Sequence, residues 1–374
     1  MHATSETQVW LLRHGASTFN VEHRCQGCCD EPELTLQGHE DAGFSGKRLS
    51  SEGIEVVISS PLRRASDTAE EVMKAISRRG CEITFETDVR LREIELYVWE
   101  GLLFEEIRRR CPEQYRDWRL RPAEFRMESA NDEDLYPVRS LFHRVRSFWN
   151  SLLTAYAGKS ILLVSHDGTI RALIASALGL NEVHFHSFQQ SNCGLSRLCF
   201  PSDSQQARLE LLNDTSHLGE RLPKLKEGRR GVRLLLVHVS DPNHTGIEQL
   251  ATALEGIVID KLLVVGSAAR SVASEVLPYA SGSYGVVSEA TADTVVEQVL
   301  RNHSGDQLRQ VAILGPLAVL RRTLRRQLGI SDRAAESVDL RPHQITSLHL
   351  PGSEAPPVLQ AVNTLKVIPN LVSV

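Results

Sequence analysis

Val9-Trp10-Leu11-Leu12-Arg13-His14-Gly15-Ala16-Ser17-Thr18 is the stretch on which the reading of the chain turns. It opens on a short apolar run, the length of one buried strand. It ends in a cation, an imidazole and a glycine, which are poor residues for a strand interior. They suit a strand end that faces a ligand, because in open α/β sheets ligands sit beyond the carboxyl ends of the strands. Arg13 and His14 are thereby placed where chemistry is expected. A tripeptide alone carries a high false-positive risk, so the rest of the chain has to supply its partners.

Outward from this stretch, strands and helices alternate. Asp30-Glu31-Pro32 reads as a turn, and Thr35 is an N-cap candidate for a helix to Leu49. Ala42, Gly43, Gly46 and Leu49 form its expected packed side. A second strand, Ile54-Glu55-Val56-Val57-Ile58, runs into Ser59-Ser60-Pro61-Leu62-Arg63-Arg64-Ala65. Pro61 suits the first turn of a helix that continues through Thr68, Ala69, Val72 and Ile76. A short strand at 83–87 leads to Leu91-Arg92-Glu93-Ile94, then to Trp99-Glu100-Gly101. Residues 104–149 are helical in pattern, rich in Arg, and broken by Pro112, Pro122 and Pro137; they read as a lid, with Arg108-Arg109-Arg110 a solvated face. Ile161-Leu162-Leu163-Val164 is the cleanest strand and ends in Ser165-His166-Asp167-Gly168-Thr169. A helix follows over 170–178, with Gly179 as its stop. Strands near 193–198 and 209–213 complete a first domain.

At 374 residues the chain exceeds what one core usually serves, so two domains are expected. A net charge of −5 argues against a general nucleic-acid binder. Residues 1–8 are polar, and no apolar run is long enough to span a bilayer, so a cytoplasmic location without membrane partners is expected. Seven cysteines, an odd number, are expected as free thiols. Cys25-Gln26-Gly27-Cys28-Cys29, with His23 before it, invites a metal or redox reading, but no second pair of ligands has the right spacing. Solvent-side or pocket-rim thiols are expected instead, with no metal and no cofactor.

Strand ends and adjacent loops now carry Arg13 with His14, Arg64, Glu93 and His166. The coherent chemistry for this set is phosphoryl transfer through a histidine. A neutral imidazole can attack phosphorus and hold the phosphoryl group. Two arginines and a second imidazole can bind the phosphate oxygens. A carboxylic acid with a raised pKa can protonate the leaving alkoxide, and Glu93 is the candidate.

These residues resemble the histidine phosphatase superfamily, whose members include the cofactor-dependent phosphoglycerate mutases. The matching stretches are Leu12-Arg13-His14-Gly15, Ser60-Pro61-Leu62-Arg63-Arg64-Ala65 with Thr68-Ala69, Leu91-Arg92-Glu93-Ile94, and Val164-Ser165-His166-Asp167-Gly168, in the family's order. The resemblance covers about residues 8–213. It implies an open, mostly parallel sheet in three layers, with helices on both faces and a helical lid; the chain's length calls for a second, smaller α/β domain after it. It implies His14 as nucleophile, Glu93 as proton donor, and Arg13, Arg64 and His166 as the phosphate pocket. Asn20, Gln26 and Gly27 match the family's substrate-side loop. Tyr97-Val98 and Leu135-Tyr136-Pro137 depart from the family's pattern where lid and substrate meet, and the long segment typical of mutases is not evident. A metal-independent phosphatase acting on a small phosphorylated metabolite is therefore expected. A phosphoglycerate-mutase-like isomerase and a non-catalytic phospholigand binder stand as the alternatives.

The second half reads as a worn copy of the first, with an unrelated small α/β domain as the alternative, since apolar strands followed by helices recur in many folds. Residues 161–180 align without a gap on 311–330, a shift of 150 positions that sets Pro316 against His166. Leu11-Leu12-Arg13-His14 pairs with Leu235-Leu236-Val237-His238, and Arg270 falls near the place of Arg64. The expected domains are 1–216, a linker over 217–230, and an inactive repeat over 231–374. Docking on the first half, a homodimer and a regulatory ligand are open roles for it.

Overall fold

Apolar residues on both faces make Thr7–Arg13 the first strand, β1, of the computed structural model, which describes residues 6–76, 83–128, 134–226, 228–240, 244–276, 278, 283–289, 291–302, 307–352 and 355–364. The chain divides into two units, one up to Leu209 and one from Glu210. In the first, β1 is followed by α1 (Thr18–Val21), α2 (Leu36–Leu49), β2 (Val56–Ser59), α3 (Arg63–Ile76) and β3 (Thr84–Thr87). The lid segment holds α4 (Phe104–Arg110), α5 (Pro112–Leu120), a short pair β4 (Met127–Glu128) and β5 (Asp134–Leu135), and α6 (Pro137–Ala155). Then come β6 (Ser160–Ser165), α7 (Asp167–Ala177) and β7 (Leu195–Phe200). Strands β3, β2, β6 and β1 pair in parallel in that order, and β7 is antiparallel to β1. Both β1 and β6 are buried almost throughout, as expected of central parallel strands.

Local chemistry sets the helix starts. The Thr35 side chain accepts from Gly38 N at 3.0 Å, so the expected cap of α2 is present. The packed side of α2 is Gly38, Ala42, Ser45, Gly46 and Leu49, whereas Gly43 faces open space. Pro61 lies in the turn ahead of α3 rather than in its first turn. Helix α3 buries Arg64, Ala65, Thr68, Ala69, Val72 and Ile76, a one-sided stripe whose first member is charged. Pro112 and Pro137, expected to break the helical pattern, each open a helix. The expected helix after His166 starts earlier, at Asp167, and Gly179 ends it in the left-handed conformation at φ 73°.

Strand β8 (Arg208–Asp214) carries the chain from the first unit into the second. The division falls at 209/210 because the end of β8 pairs with the last strand of the second unit, Leu212 against Val362. That unit continues with β9 (Val232–His238), α8 (His244–Leu254), β10 (Lys261–Val265), α9 (Ser267–Val276), β11 (Ser283–Val287), α10 (Ala292–Arg301), β12 (Arg309–Gly315), α11 (Leu317–Leu328), α12 (Asp332–Glu336), β13 (Ile345–Leu350) and β14 (Val358–Thr364). Strands β11, β10, β12 and β9 pair in parallel in that order, β13 is antiparallel to β9, and β14 to β13. Leu235, Val237, Leu250, Val264, Val272 and Leu314 belong to its core. Among the described residues no helix is long and apolar enough to cross a membrane.

Candidate active site

Four chain segments meet at the carboxyl ends of β1, β2 and β6. Arg13 closes β1, and His14 follows it, only 2% exposed. His14 N donates to Ser165 O at 2.9 Å, which fixes the start of the loop against β6. The ring's Nδ1 lies 2.7 Å from Gly15 O. A carbonyl can only accept, so Nδ1 carries the proton and Nε2 is bare. Burial, then the charges of Arg64 and Arg13, hold the His14 pKa well below its ordinary value, and the imidazole is neutral at pH 7.

Arg64 enters from the first turn of α3 and is wholly buried. Its Nη1 donates to Cys29 O at 2.7 Å and its Nη2 to Gly27 O at 2.8 Å. Gly27 adopts φ 49°, and a Cβ there would fall 2.2 Å from Glu100 Oε1, so only glycine fits this turn. Arg13 Nη1 donates to Gln190 O at 2.9 Å. The Nε atoms of Arg13 and Arg64 are buried and have no hydrogen-bond partner among the described residues. Thr68 ties α3 to the histidine loop, accepting from Gly15 N at 3.0 Å while donating to Arg64 O at 2.7 Å.

His166 stands at the N-cap position of α7 and packs against His14, with ring centroids 5.2 Å apart. Its Nε2 lies 2.8 Å from Ser60 Oγ, and its Nδ1 is buried without a partner among the described residues. Burial, then the charges of Arg64, His14 and Arg13, push its pKa well down. Glu93 sits on the other side of the same helix start. Its carboxylate accepts from Gly168 N at 3.0 Å, Thr169 N at 3.1 Å and its neighbour Ile94 N at 2.8 Å. The exposed amides of a helix N-terminus are a natural seat for a carboxylate. Ser165 Oγ to Leu91 O at 2.8 Å and Thr169 Oγ1 to Arg92 O at 2.6 Å fasten the Glu93 segment to the β6–α7 turn.

The remaining sequence candidates lie on the adjoining loop. Asn20 closes a capping box with Ser17, and Ser17 Oγ is also 2.9 Å from Gln26 Oε1. Cys25 is buried, and its thiol is pushed up to about 12 by burial. The half-buried Cys28 donates to Glu93 O at 3.1 Å, its thiol pushed up to about 11, again by burial. Cys28 is thus at the pocket rim, but Cys25 belongs to the core rather than the solvent side. No group of three potential metal ligands occurs among the described residues.

Three residues of the site escaped the sequence reading. Asn192 Nδ2 reaches His14 O at 3.1 Å, Gly15 O at 3.2 Å and Asn20 Oδ1 at 3.0 Å. Arg144 of α6 donates through Nη2 to Arg92 O at 2.7 Å and Glu93 O at 3.0 Å, and its Nε is buried without a partner among the described residues. Ser60, quoted only as part of a motif, is the partner of His166. Asn192 had no signal around it, whereas Arg144 lies in the Arg-rich helical stretch at 104–149.

The family described as histidine phosphatase superfamily (branch 1) matches residues 9–215. A probable 2-carboxy-D-arabinitol-1-phosphatase of Arabidopsis thaliana is 40% identical over 52% of this chain, but the match spans only 38% of that protein's length. Phosphoserine phosphatase 1 of Hydrogenobacter thermophilus is 32% identical over 56% of this chain and 93% of its own. A probable phosphoglycerate mutase of Salmonella arizonae is 34% identical over 60% of this chain and 99% of its own. With the family's match covering more than half of the sequence and two relatives matched along nearly their whole length, the chain belongs to the histidine phosphatase superfamily.

Proposed function

We propose that the first unit hydrolyses a small phosphomonoester without a metal, by way of a phosphoryl group carried on His14 Nε2. The observation that carries this reading is a neutral imidazole with a bare Nε2, set among buried cationic donors that lack acceptors among the described residues. A buried donor left unpaired costs about 1–3 kcal/mol. The Nε–H groups of Arg13 and Arg64 and the His166 imidazole are supplied with acceptors by the oxygens of a bound phosphate. With Ser60 O–H donating to His166 Nε2, the His166 proton sits on Nδ1, as a further donor.

The Nε2 lone pair forms a bond to phosphorus as the bond from phosphorus to the ester oxygen breaks. Glu93 enters this step protonated, transfers its proton to the departing oxygen, and is left as the carboxylate that the Gly168, Thr169 and Ile94 amides hold. Water then attacks the phosphohistidine, Glu93 takes its proton back, and the P–N bond breaks. Arg13, Arg64 and His166 hold the three phosphoryl oxygens through both steps. Asn20, Gln26 and Gly27 border the substrate, and Asn192 holds their loop on the nucleophile's backbone. The relatives are named for small phosphorylated molecules, which supports a substrate of that class. Six cysteines outside any disulfide among the described residues support a cytoplasmic setting.

The test is release of inorganic phosphate from a panel of phosphorylated metabolites, with chelator present, comparing wild type with His14→Ala. Release that survives chelator and disappears in the variant is expected. Likeness to a probable phosphoglycerate mutase favours a second reading, in which the phosphoryl group is returned to the substrate. That reading requires stimulation by a bisphosphorylated primer and little free phosphate.

We also propose that the second unit is an inactive repeat of the first. The same strand order supports it, with β11-β10-β12-β9 parallel and β13 antiparallel, as β3-β2-β6-β1 and β7. Non-glycine residues at positive φ support it too: Cys193 at 53° and His343 at 60°, Asn213 at 51° and Asn363 at 55°, each pair 150 positions apart.

A further inference from the structure

A chain of contacts leaves the phosphate pocket on one side, crosses the lid and returns on the other. Asp167 directly follows His166. Its carboxylate takes Arg171 Nε on Oδ1 and Arg171 Nη2 on Oδ2, both at 3.0 Å. Arg171 Nη1 reaches His186 Nδ1 at 3.1 Å, and His186 Nε2 reaches Trp118 O, in α5, at 2.7 Å. The two partners leave this imidazole one tautomer, because the carbonyl can only accept and the guanidinium can only donate. So Nε2–H donates to the lid while bare Nδ1 accepts from the body.

On the lid the contact passes through rings. Trp118 meets the His186 ring at 4.9 Å, Phe125 at 5.1 Å and Trp99 at 6.0 Å, all edge to face. Trp99 is followed by Glu100, whose carboxylate accepts from Cys28 N at 2.7 Å and lies over Gly27. The carbonyls of Gly27 and Cys29 are the two that hold Arg64.

We propose that Trp118 and His186 are positioning residues for the phosphoryl transfer, through which helix α5 clamps the His166 side of the pocket to the Arg64 side. Neither residue borders the phosphate. Each acts through others, His186 through Arg171 and Asp167, Trp118 through Trp99 and Glu100. The proposal rests on the phosphatase reading for its kinetic readout and on the phosphate pocket alone for its binding readout.

The variants are His186→Leu, which removes both hydrogen bonds; His186→Gln, whose amide can both accept and donate; and Trp118→Leu. Turnover is measured with p-nitrophenyl phosphate, affinity with inorganic phosphate, and folding by thermal melt. A displacement of about 1 Å in a catalytic group costs on the order of 100-fold in rate. His186→Leu and Trp118→Leu are therefore expected to lower kcat by about 10- to 100-fold with KM changed less than about threefold, and His186→Gln to stay within about threefold of wild type. Wild-type kcat in folded His186→Leu or Trp118→Leu overturns the clamp, as does failure of His186→Gln to rescue a folded His186→Leu. If His186→Leu does not fold, Trp118→Leu alone decides. If the wild type turns over no phosphomonoester, the phosphatase reading fails, and the clamp is judged on inorganic phosphate: about tenfold weaker binding in the Leu variants supports it, and unchanged binding overturns it.

Discussion

Gly168→Ala is a one-carbon perturbation aimed at the acid alone. Gly168 sits in the first turn of α7, and its amide is one of those that seat the Glu93 carboxylate. A Cβ added there would lie 2.7 Å from Glu93 Oε1, 3.1 Å from Ile94 Cγ2 and 3.3 Å from Phe185 Cζ. Ordinary contact begins near 3.4 Å, so the carboxylate has to retreat by about 0.7 Å. It cannot do so and keep its bonds to Gly168 N and Thr169 N, since those amides lie beside the new methyl group. A retreat of that size in a proton donor costs about 10- to 100-fold in rate. Alanine in place of glycine in a helix is favourable by up to about 1 kcal/mol, which only partly offsets the two buried amides left without their carboxylate and the crowding of Ile94 and Phe185. The assay compares two substrates. An alkyl phosphate has a leaving group that needs a proton, and p-nitrophenyl phosphate has one that does not. Gly168→Ala should lose about 10- to 100-fold in kcat/KM on the alkyl ester and little in kcat/KM on the aryl ester, because kcat/KM reports the step in which the leaving group departs, and should melt somewhat lower than wild type. Equal losses in kcat/KM on both esters would refute the assignment of Glu93 as acid. Full activity on the alkyl ester would refute the claim that its seat matters.

Arg64→Lys gives up the two-armed grip on the Gly27 and Cys29 carbonyls along with the planar donor, so kcat/KM should fall by about 100- to 1000-fold in steady-state assays. His14, His166 and His186 are buried with pKa values pushed well below the ordinary 6.5, first by burial. An unfolded chain binds more protons than the native one as pH falls below about 6.5, so this contribution to stability is complete above that pH and is lost on acidification, by up to about 1.4 kcal/mol per pH unit for each histidine. Thermal melts from pH 7.5 to 5 should steepen below 6.5, and a flat profile would contradict the neutral assignments. For the same reason the acidic limb of kcat/KM should lie well below 6.5, and a limb centred at 6.5 would argue against His14 as the attacking group.

What the sequence made legible was the part that physics ties to local pattern. Apolar runs ending in Arg13-His14 and Ser165-His166 announced strands whose carboxyl ends carry polar groups, and those ends do face one another. Thr35 announced a cap because its mechanism is local. Glu93 was found by motif, but its seat on the α7 amides is a tertiary fact, made by Ser165 and Thr169 fastening a segment more than seventy residues away. Asn192 and His186 left no mark, since each acts through one side chain reaching a distant backbone atom, with no periodicity around it. Gly43 was misplaced because a glycine has no side chain with which to declare a helix face.

If the second unit is the repeat we propose, strand register decides which of its residues stand in the places of the site, and it moves the sequence alignment by one residue. Along β6 and β12 the shift of 150 sets Ser165 against Gly315. In the first unit Arg13 pairs with Ser165, and in the second His238 pairs with Gly315. The residue in the place of Arg13 is then His238, and the residue in the place of the nucleophile is Val239. The backbone agrees: His14 N donates to Ser165 O at 2.9 Å, and Val239 N donates to Gly315 O at 3.0 Å. The alignment of Leu11-Leu12 with Leu235-Leu236 concealed this, because a leucine run matches equally well one position along. The same reasoning on β2 and β10 sets the buried Ala269 in the place of Arg64, with the exposed Arg270 one residue beyond. Pro316, which cannot donate from a side chain, stands at the N-cap position of α11 where His166 stands at that of α7. No nucleophile, arginine or second imidazole of the pocket is kept in place, and His238 donates from Nδ1 to Leu340 O at 3.1 Å instead. In a chain holding both units His238→Ala should therefore leave phosphate release within about twofold of wild type, while His14→Ala removes it. A burst of acid-labile phosphoprotein that survives His14→Ala and vanishes in His238→Ala would place chemistry in the second unit and undo the register argument.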